Sequence, residues 1–304
     1  MRVVNAFIFF DELELLEIRL HELDSVVDLF VIVETLEHNA NRQKKPICLR
    51  PNWERFRQFA HKIHYVVLDE IQPRYSNNAQ DSGIAWAREA WQRDQIVPAV
   101  MQVAALDDVV IITEGDEIPR AETIRANKEF LNQRIHQLDM DFYYYNVNRL
   151  VTERWSTAYS GTLRQIIEAG GPAAVRRQTS GRGNGDGGKY MPIANCGWHF
   201  SSFTFGDIEH VRQKFAGFAH AYDPVCREFE AKRDDTKLIR DIANGEYLTN
   251  PRPNWTVWKD IDGSLPAYFL ANQEKFAHLT DAFFREKYKG VIEWQPYLNP
   301  LAQA

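Results

Sequence analysis

Residues 2–10 form an apolar run rich in Val, Ile and Phe that stops abruptly at Asp11-Glu12, the pattern of a strand buried on both faces. From Glu12 to Leu23, Leu13, Leu16, Leu20 and Leu23 recur at helical spacing while Glu14, Glu17 and His21 fall elsewhere, which predicts an amphipathic helix. Two further apolar runs follow, Leu29 to Glu34 and Ile63 to Leu68. Strand, helix, strand in this order is a βαβ unit, so the chain is expected to build an α/β fold on a parallel sheet.

The alternation continues to about residue 120. Residues 83–104 read as a helix carrying Trp86, Arg88, Glu89, Trp91 and Arg93, bent at Pro98. Val109 to Glu114 is another buried strand, and it runs into Gly115-Asp116-Glu117-Ile118-Pro119. Beyond it come a polar helical stretch around 120–137, an aromatic strand at Phe142 to Tyr145, a strand at Cys196 to Phe203, helices at 207–220 and 234–245, and an amphipathic run near 272–287 expected to pack on the core. Gly181 to Gly188 is a glycine-rich loop without the spacing or the Lys-Ser/Thr of a P-loop, which points to a lid or a flexible connector. We expect a regularly alternating half at about 1–120, a mixed half at about 121–250, and a C-terminal extension over 251–304 packed on them.

Size and charge narrow the function. At 304 residues the chain buries roughly three-quarters of its extended surface, enough to fold without staples. A net charge of −6 offers no general pull toward nucleic acid or anionic membrane. Cys48, Cys196 and Cys226 are odd in number and widely spaced, which argues against a disulfide framework or a zinc ribbon. No stretch reaches about 18 uncharged apolar residues, so no integral membrane segment is expected, and the location expected is cytoplasmic. Eight Trp and twelve Tyr exceed what a bland core requires; rings also stack on sugars, though packing is their default role.

The chemistry concentrates where β-strands end, because open α/β sheets bind ligands outside the carboxyl ends of their strands. Glu114 and Asp116 alternate across a glycine, a spacing that can place two carboxylates on one hard divalent cation; an ordinary acidic turn has the same sequence. Asp11, Glu12 and Glu34 fall at the same predicted edge. Asp11 suits a helix N-cap, and Glu12 and Glu14 suit the positive end of the helix dipole. Arg88 and Arg93 can meet diphosphate oxygens or pair with Glu89 and Asp94. His199, in Gly197-Trp198-His199, is either a neutral-imidazole ligand or a hydrogen-bonded core residue.

Several of these segments, taken in order, resemble glycosyltransferase family 17. The resemblance lies in Asn5-Ala6 through Asp11 to Leu23, in Val26 to Glu34, in Asp107 to Ile112 with Asp116 to Pro119, in Gly197-Trp198-His199, and more loosely in Lys214-Phe215 to Phe218-Ala219-His220. It covers about residues 3–250. What it implies is a GT-A type fold, with a Rossmann-like, mostly parallel central sheet flanked by helices and a mixed acceptor side. It implies an inverting transfer, most simply of N-acetylglucosamine from UDP-N-acetylglucosamine to a glycan or other hydroxyl acceptor, dependent on Mn2+ with Mg2+ as the alternative. The family's Asp-x-Asp falls on Glu114-Gly115-Asp116, with Glu114 departing from the usual Asp, and His199 inherits a third-ligand or diphosphate role. Glu12, Glu34, Arg88, Arg93 and Asp116 are then the expected nucleotide-sugar contacts, and Trp155, Trp198 and Arg149 the expected acceptor contacts. Glu117 is the provisional base, with Glu153 and Asp186 as further carboxylates on the acceptor side. A non-catalytic nucleotide-sugar or glycan-binding protein on the same frame is the rival, motivated by Glu114.

Overall fold

The computed structural model describes residues 1–72, 82–179, 189–222, 227, 234–247 and 255–293. The glycine-rich segment 181–188, with Asp186, and Cys226 and Trp294 lie outside the described residues. Strands β1 (Val3–Phe9), β2 (Leu29–Thr35), β3 (Ile63–Leu68) and β4 (Val109–Glu114) lie side by side in the order β3-β2-β1-β4, all parallel. Helix α1 (Leu13–Leu23) makes the first crossover. Alternate residues of β1 serve opposite layers. Val3, Phe7 and Phe9 pack with Leu16 and Leu20 of α1, while Val4 and Ala6 pack with Ile96, Val100 and Ile166 on the other face. Both faces of these strands are therefore covered, which is why their sequences read as unbroken apolar runs.

The rest of the sheet departs from the expected parallel arrangement. Of the ten strand pairings described, five are antiparallel and five parallel. The chain doubles back after β6 (His136–Tyr144) through β7 (Arg149–Val151) and β8 (Trp155–Thr162), both of which pair antiparallel with β6, and the connection of a few residues from β6 to β7 permits only that direction. Strand β8 lies between β6 and β4 and closes the parallel half on that side. The central sheet is thus large and mixed, not mostly parallel.

Two short elements bring distant residues to the end of β4. Strand β5 (Glu117–Pro119) pairs antiparallel with β10 (Gly197–Ser201), which also pairs parallel with β6. In register, Glu117 faces His199, and His199 faces Phe142. Gly197 permits the close pairing: its φ is +148°, and a Cβ there would sit 2.0 Å from the Ile118 carbonyl oxygen.

The helical expectations hold with three corrections. The 83–104 helix is two, α2 (Ser82–Asp94) and α3 (Ile96–Met101). The 120–137 stretch is helical only over α4 (Ala121–Asn127), because β6 already begins at His136. Asp11 does not cap α1; Glu12 holds the N-cap position, its carboxylate turned back onto the backbone N–H groups of Phe10 and Asp11 at 3.2 Å. On the C-terminal side, Leu265, Phe269, Phe276 and Leu279 pack against Trp198, Phe200 and Ile18. Cys48 and Cys196 are free thiols. No helix among the described residues is long and apolar enough to cross a membrane.

Candidate active site at the end of β4

The turn Glu114-Gly115-Asp116-Glu117 is held from beneath by Arg19. This side chain, fully buried on α1, donates to the carbonyl oxygens of Glu114, Gly115 and Glu117 at 2.5, 3.2 and 2.7 Å. It also donates to Asn5 Oδ1 and Thr113 Oγ1 at 2.9 and 2.7 Å, and its guanidinium lies 4.0 Å from the centre of the Phe7 ring. Only Arg offers enough donors in one plane to do this. At the apex, a Cβ on Gly115 would meet Glu12 Oε2 at 2.8 Å and the Ile8 carbonyl oxygen at 3.3 Å, so a larger residue there displaces the Glu12 carboxylate.

Glu117 is fully buried, and both its oxygens are occupied. Oε1 accepts from Trp155 Nε1 at 2.6 Å, Thr157 Oγ1 at 2.8 Å and Arg176 Nη2 at 2.9 Å; Oε2 accepts from Arg176 Nη1 at 3.2 Å and the Glu114 backbone N–H at 2.8 Å. Burial works against its charge, but Arg176 and His199 outweigh it and bring its pKa down to about 2. A carboxylate so acidic, with no accessible lone pair, is built to hold this wall and not to take a proton from a substrate.

Asp116, next along the turn, faces the opposite group of side chains. Its Oδ2 accepts from Lys214 Nζ at 2.8 Å, and its Oδ1 lies 3.5 Å from His199 Nε2. Despite burial, the Lys214 and His199 contacts hold its carboxyl well below the usual range. Lys214 arrives from helix α7 (Ile208–Gly217), where Asp207 Oδ1 caps the first turn by accepting from the Glu209 N–H at 2.9 Å. The His199 ring is stacked on Trp155 at 4.3 Å and on Phe142 at 4.8 Å, and its buried Nδ1 has no hydrogen-bond partner.

Glu114 does not share a point with Asp116. Its Oε1 is taken by Arg93 Nε at 2.9 Å and Arg93 Nη2 at 2.7 Å, with Arg176 Nε at 3.3 Å, and Arg93 is tied in turn to Glu89 at 2.7 Å. Among the described residues no group of three His, Cys, Asp or Glu side chains is disposed to hold a metal ion. Asp116 and His199 do supply one oxygen and one nitrogen donor side by side, and the cation already on Asp116 is the Lys214 ammonium.

Each carboxylate of the turn at the end of this parallel strand is thus met by a basic side chain. Comparison with known proteins gives the chain a family, since the family model for glycosyltransferase family 17 matches residues 1–287. The chain belongs to glycosyltransferase family 17. It is 34% identical over 96% of its length to the β-1,4-mannosyl-glycoprotein 4-β-N-acetylglucosaminyltransferase of Rattus norvegicus, and 34% identical over 94% to that of Homo sapiens. In both cases it spans 56% of the relative's length. Among solved structures, S. aureus TarS 1–349 aligns over 97% of this chain and 93% of that one, with a TM-score of 0.34 and 9% identity, too distant to carry an argument.

Seen in this family 17 chain, the residues singled out from sequence fall into two groups. Asp116, His199, Glu114, Glu117, Arg93, Trp155 and Glu12 come together at the end of β4. The others lie elsewhere with their polar atoms engaged. Glu34 is fully buried, accepting from Lys45 Nζ, the Cys48 and Leu49 N–H groups and Tyr65 Oη at 2.6 to 3.2 Å. Arg88 donates to the Asn39 and Ala40 carbonyls at 3.1 and 2.6 Å. Arg149 is buried, donating to the Ala243 carbonyl and pairing with Asp281 at 3.4 Å. Trp198 is a core residue under the Arg120 guanidinium, its Nε1 donating to the Ser264 carbonyl at 2.8 Å; its neighbour in sequence, not its own ring, reaches the site.

Sequence reasoning missed Arg19, Arg176 and Lys214 as parts of the site. Arg19 carried a signal: it falls between Leu16 and Leu23 on the apolar stripe of α1, where a charge has to find buried partners. Asp11 also belongs at this edge, with Oδ1 buried and unbonded, 3.8 Å from His210 Nε2. Burial and the neighbouring Glu12 push its pKa up to about 8.

Proposed function

We propose that this protein is an inverting glycosyltransferase of GT-A type that transfers N-acetylglucosamine from UDP-N-acetylglucosamine to a hydroxyl of a glycan acceptor. The observation that carries the reading is the Glu114–Glu117 turn, in which Asp116 is charged and faces basic partners at the carboxyl edge of β4, within a chain of family 17. The activity that the relatives' names state supports the donor sugar; because they are longer proteins, their acceptor is not carried over.

In this reading the donor diphosphate lies across Asp116, His199 and Lys214. Asp116 and His199 would hold a divalent cation, Mn2+ or alternatively Mg2+, which when bound would supply Lewis-acid neutralisation of the leaving diphosphate. The remaining work is electrostatic and belongs to the chain itself. Arg19 fixes the turn through its carbonyls, so Asp116 needs no reorganisation when charge develops. Trp155 and Phe142 clamp the His199 ring and fix its direction. Arg93 and Arg176 hold Glu114 and Glu117 as the wall behind Asp116. We assign Glu117 to that wall, in place of the base role, because no lone pair is left to accept a proton.

The test is direct. Incubation with UDP-N-acetylglucosamine, Mn2+ and a panel of glycan acceptors, read by UDP release and by NMR of the product anomer, is expected to give a β-linked product. An α-linked product, or preference for a GDP-sugar, overturns the reading. Tight donor binding without turnover on any acceptor favours the binding-protein rival.

A further inference from the structure

We propose that Lys214 is an exchangeable counter-cation. Its ammonium occupies Asp116 while no nucleotide is bound and passes to the diphosphate when the donor arrives, so that a divalent cation gains Asp116 only together with the nucleotide. The inference rests on the reading of this edge as a nucleotide-sugar site and adds to it a residue and an order of events.

Four cations surround the turn, and three are anchored. Arg19 has acceptors at Asn5, Thr113 and three backbone carbonyls. Arg93 bridges Glu89 and Glu114, and Arg176 bridges Glu114 and Glu117. Lys214 alone meets the turn through a single bond, to Asp116 Oδ2 at 2.8 Å. It is also the only one of the four on a flexible four-carbon stem with a point charge, the form of side chain that can change partners.

Asp116 cannot hold this ammonium and a divalent ion together without bringing like charges to within a few ångströms in a buried site, where their repulsion is weakly screened. An incoming diphosphate removes the conflict by offering oxygen acceptors to the ammonium. Lys214 therefore weakens metal binding in the absence of nucleotide and strengthens nucleotide binding.

The test uses the whole chain. Binding of Mn2+ alone, followed by the electron paramagnetic resonance of the free ion, is expected to be at least about tenfold tighter for Lys214→Met than for the nucleotide-free wild type, since 1.4 kcal/mol of relieved repulsion suffices for that factor. Lys214→Arg, which keeps the charge, is expected to exclude Mn2+ as the wild type does. Lys214→Gln repeats the neutral case should the Met variant fail to fold, with circular dichroism confirming the fold of each. In EDTA, calorimetry is expected to show UDP binding about tenfold weaker for the neutral variants. Equal Mn2+ affinity for wild type and neutral variants overturns the exchange. Failure of UDP to bind any variant, with or without Mn2+, overturns the nucleotide-sugar reading instead, and the Mn2+ comparison still decides whether Lys214 excludes a cation from Asp116.

Discussion

The indole Nε1 of Trp155 donates to Glu117 Oε1 at 2.6 Å while the same ring lies stacked on His199. One side chain thus couples the acidic wall behind the turn to the imidazole in front of it. Trp155→Phe keeps the stack and removes the donor, and it is expected to destabilise the fold by about 1.5–3 kcal/mol, the worth of a hydrogen bond to a charged group. Trp198→Phe is the control. It loses the bond to Ser264 and leaves the acceptor KM unchanged, because its ring is buried away from the site. Urea unfolding and acceptor kinetics on the two variants separate these outcomes.

Asp116→Asn is expected to lower transfer by about 10²–10³-fold, the usual loss on removing one preorganised electrostatic group. The amide leaves Lys214 without its counter-charge, so stability also falls, by up to about 3–5 kcal/mol. Single-turnover rates beside a thermal melt measure both.

Glu117 gives the protein a pH dependence with a definite sign. Its folded pKa, about 2, lies below its ordinary 4.5. The ionised group therefore contributes stability that is full above about pH 4.5 and lost as the pH falls toward 2. That contribution is on the order of 3 kcal/mol. Glu117→Gln is expected to lower the urea midpoint at pH 7 and to flatten its decline between pH 4.5 and 2. A variant whose decline matches wild type removes Glu117 as the source.

Gly197→Ala forces a Cβ to within 2.0 Å of the Ile118 carbonyl and a left-handed φ on a residue that disfavours it. A loss of at least about 2 kcal/mol is expected. The pairing of β10 with β5 is what opens, so His199 moves away from Asp116. Hydrogen exchange at the Arg120 and Phe200 amides, which donate across this pairing to the Cys196 and Asp116 carbonyls, detects this directly.

The parallel half of the fold was legible because each of its strands is covered on both faces and so reads as a continuous apolar run. The end of β3 at Leu68 and of β4 at Glu114 coincide with the ends of those runs. Of the mixed half, β6 and β10 were legible in part, at Phe142 to Tyr144 and at Gly197 to Ser201, but β5, β7, β9 (Met191–Ile193) and β11 (Thr256–Trp258) are three residues each, too short for any period. In the site, Glu114-Gly115-Asp116 announced itself by spacing. The opposite directions of Glu114 and Asp116 did not, because they depend on Arg93, Arg176 and Lys214, which arrive from three separate helices. Glu34 and Arg88 show the converse: a charged residue at a strand end or on a helix near the site is as readily a buried strut.

Arg19 grips the Glu114–Glu117 turn by carbonyl oxygens, which every amino acid possesses, and not by the side chains that the turn displays. The path of the backbone from Glu114 to Glu117 is therefore indifferent to what is displayed at positions 114 and 116. Glu in place of Asp at 114 leaves the loop's shape intact, and laboratory exchange at 114 can retune the donor site without refolding its frame. In this chain the scaffold and the chemistry are separately editable, and the boundary between them runs along a single guanidinium.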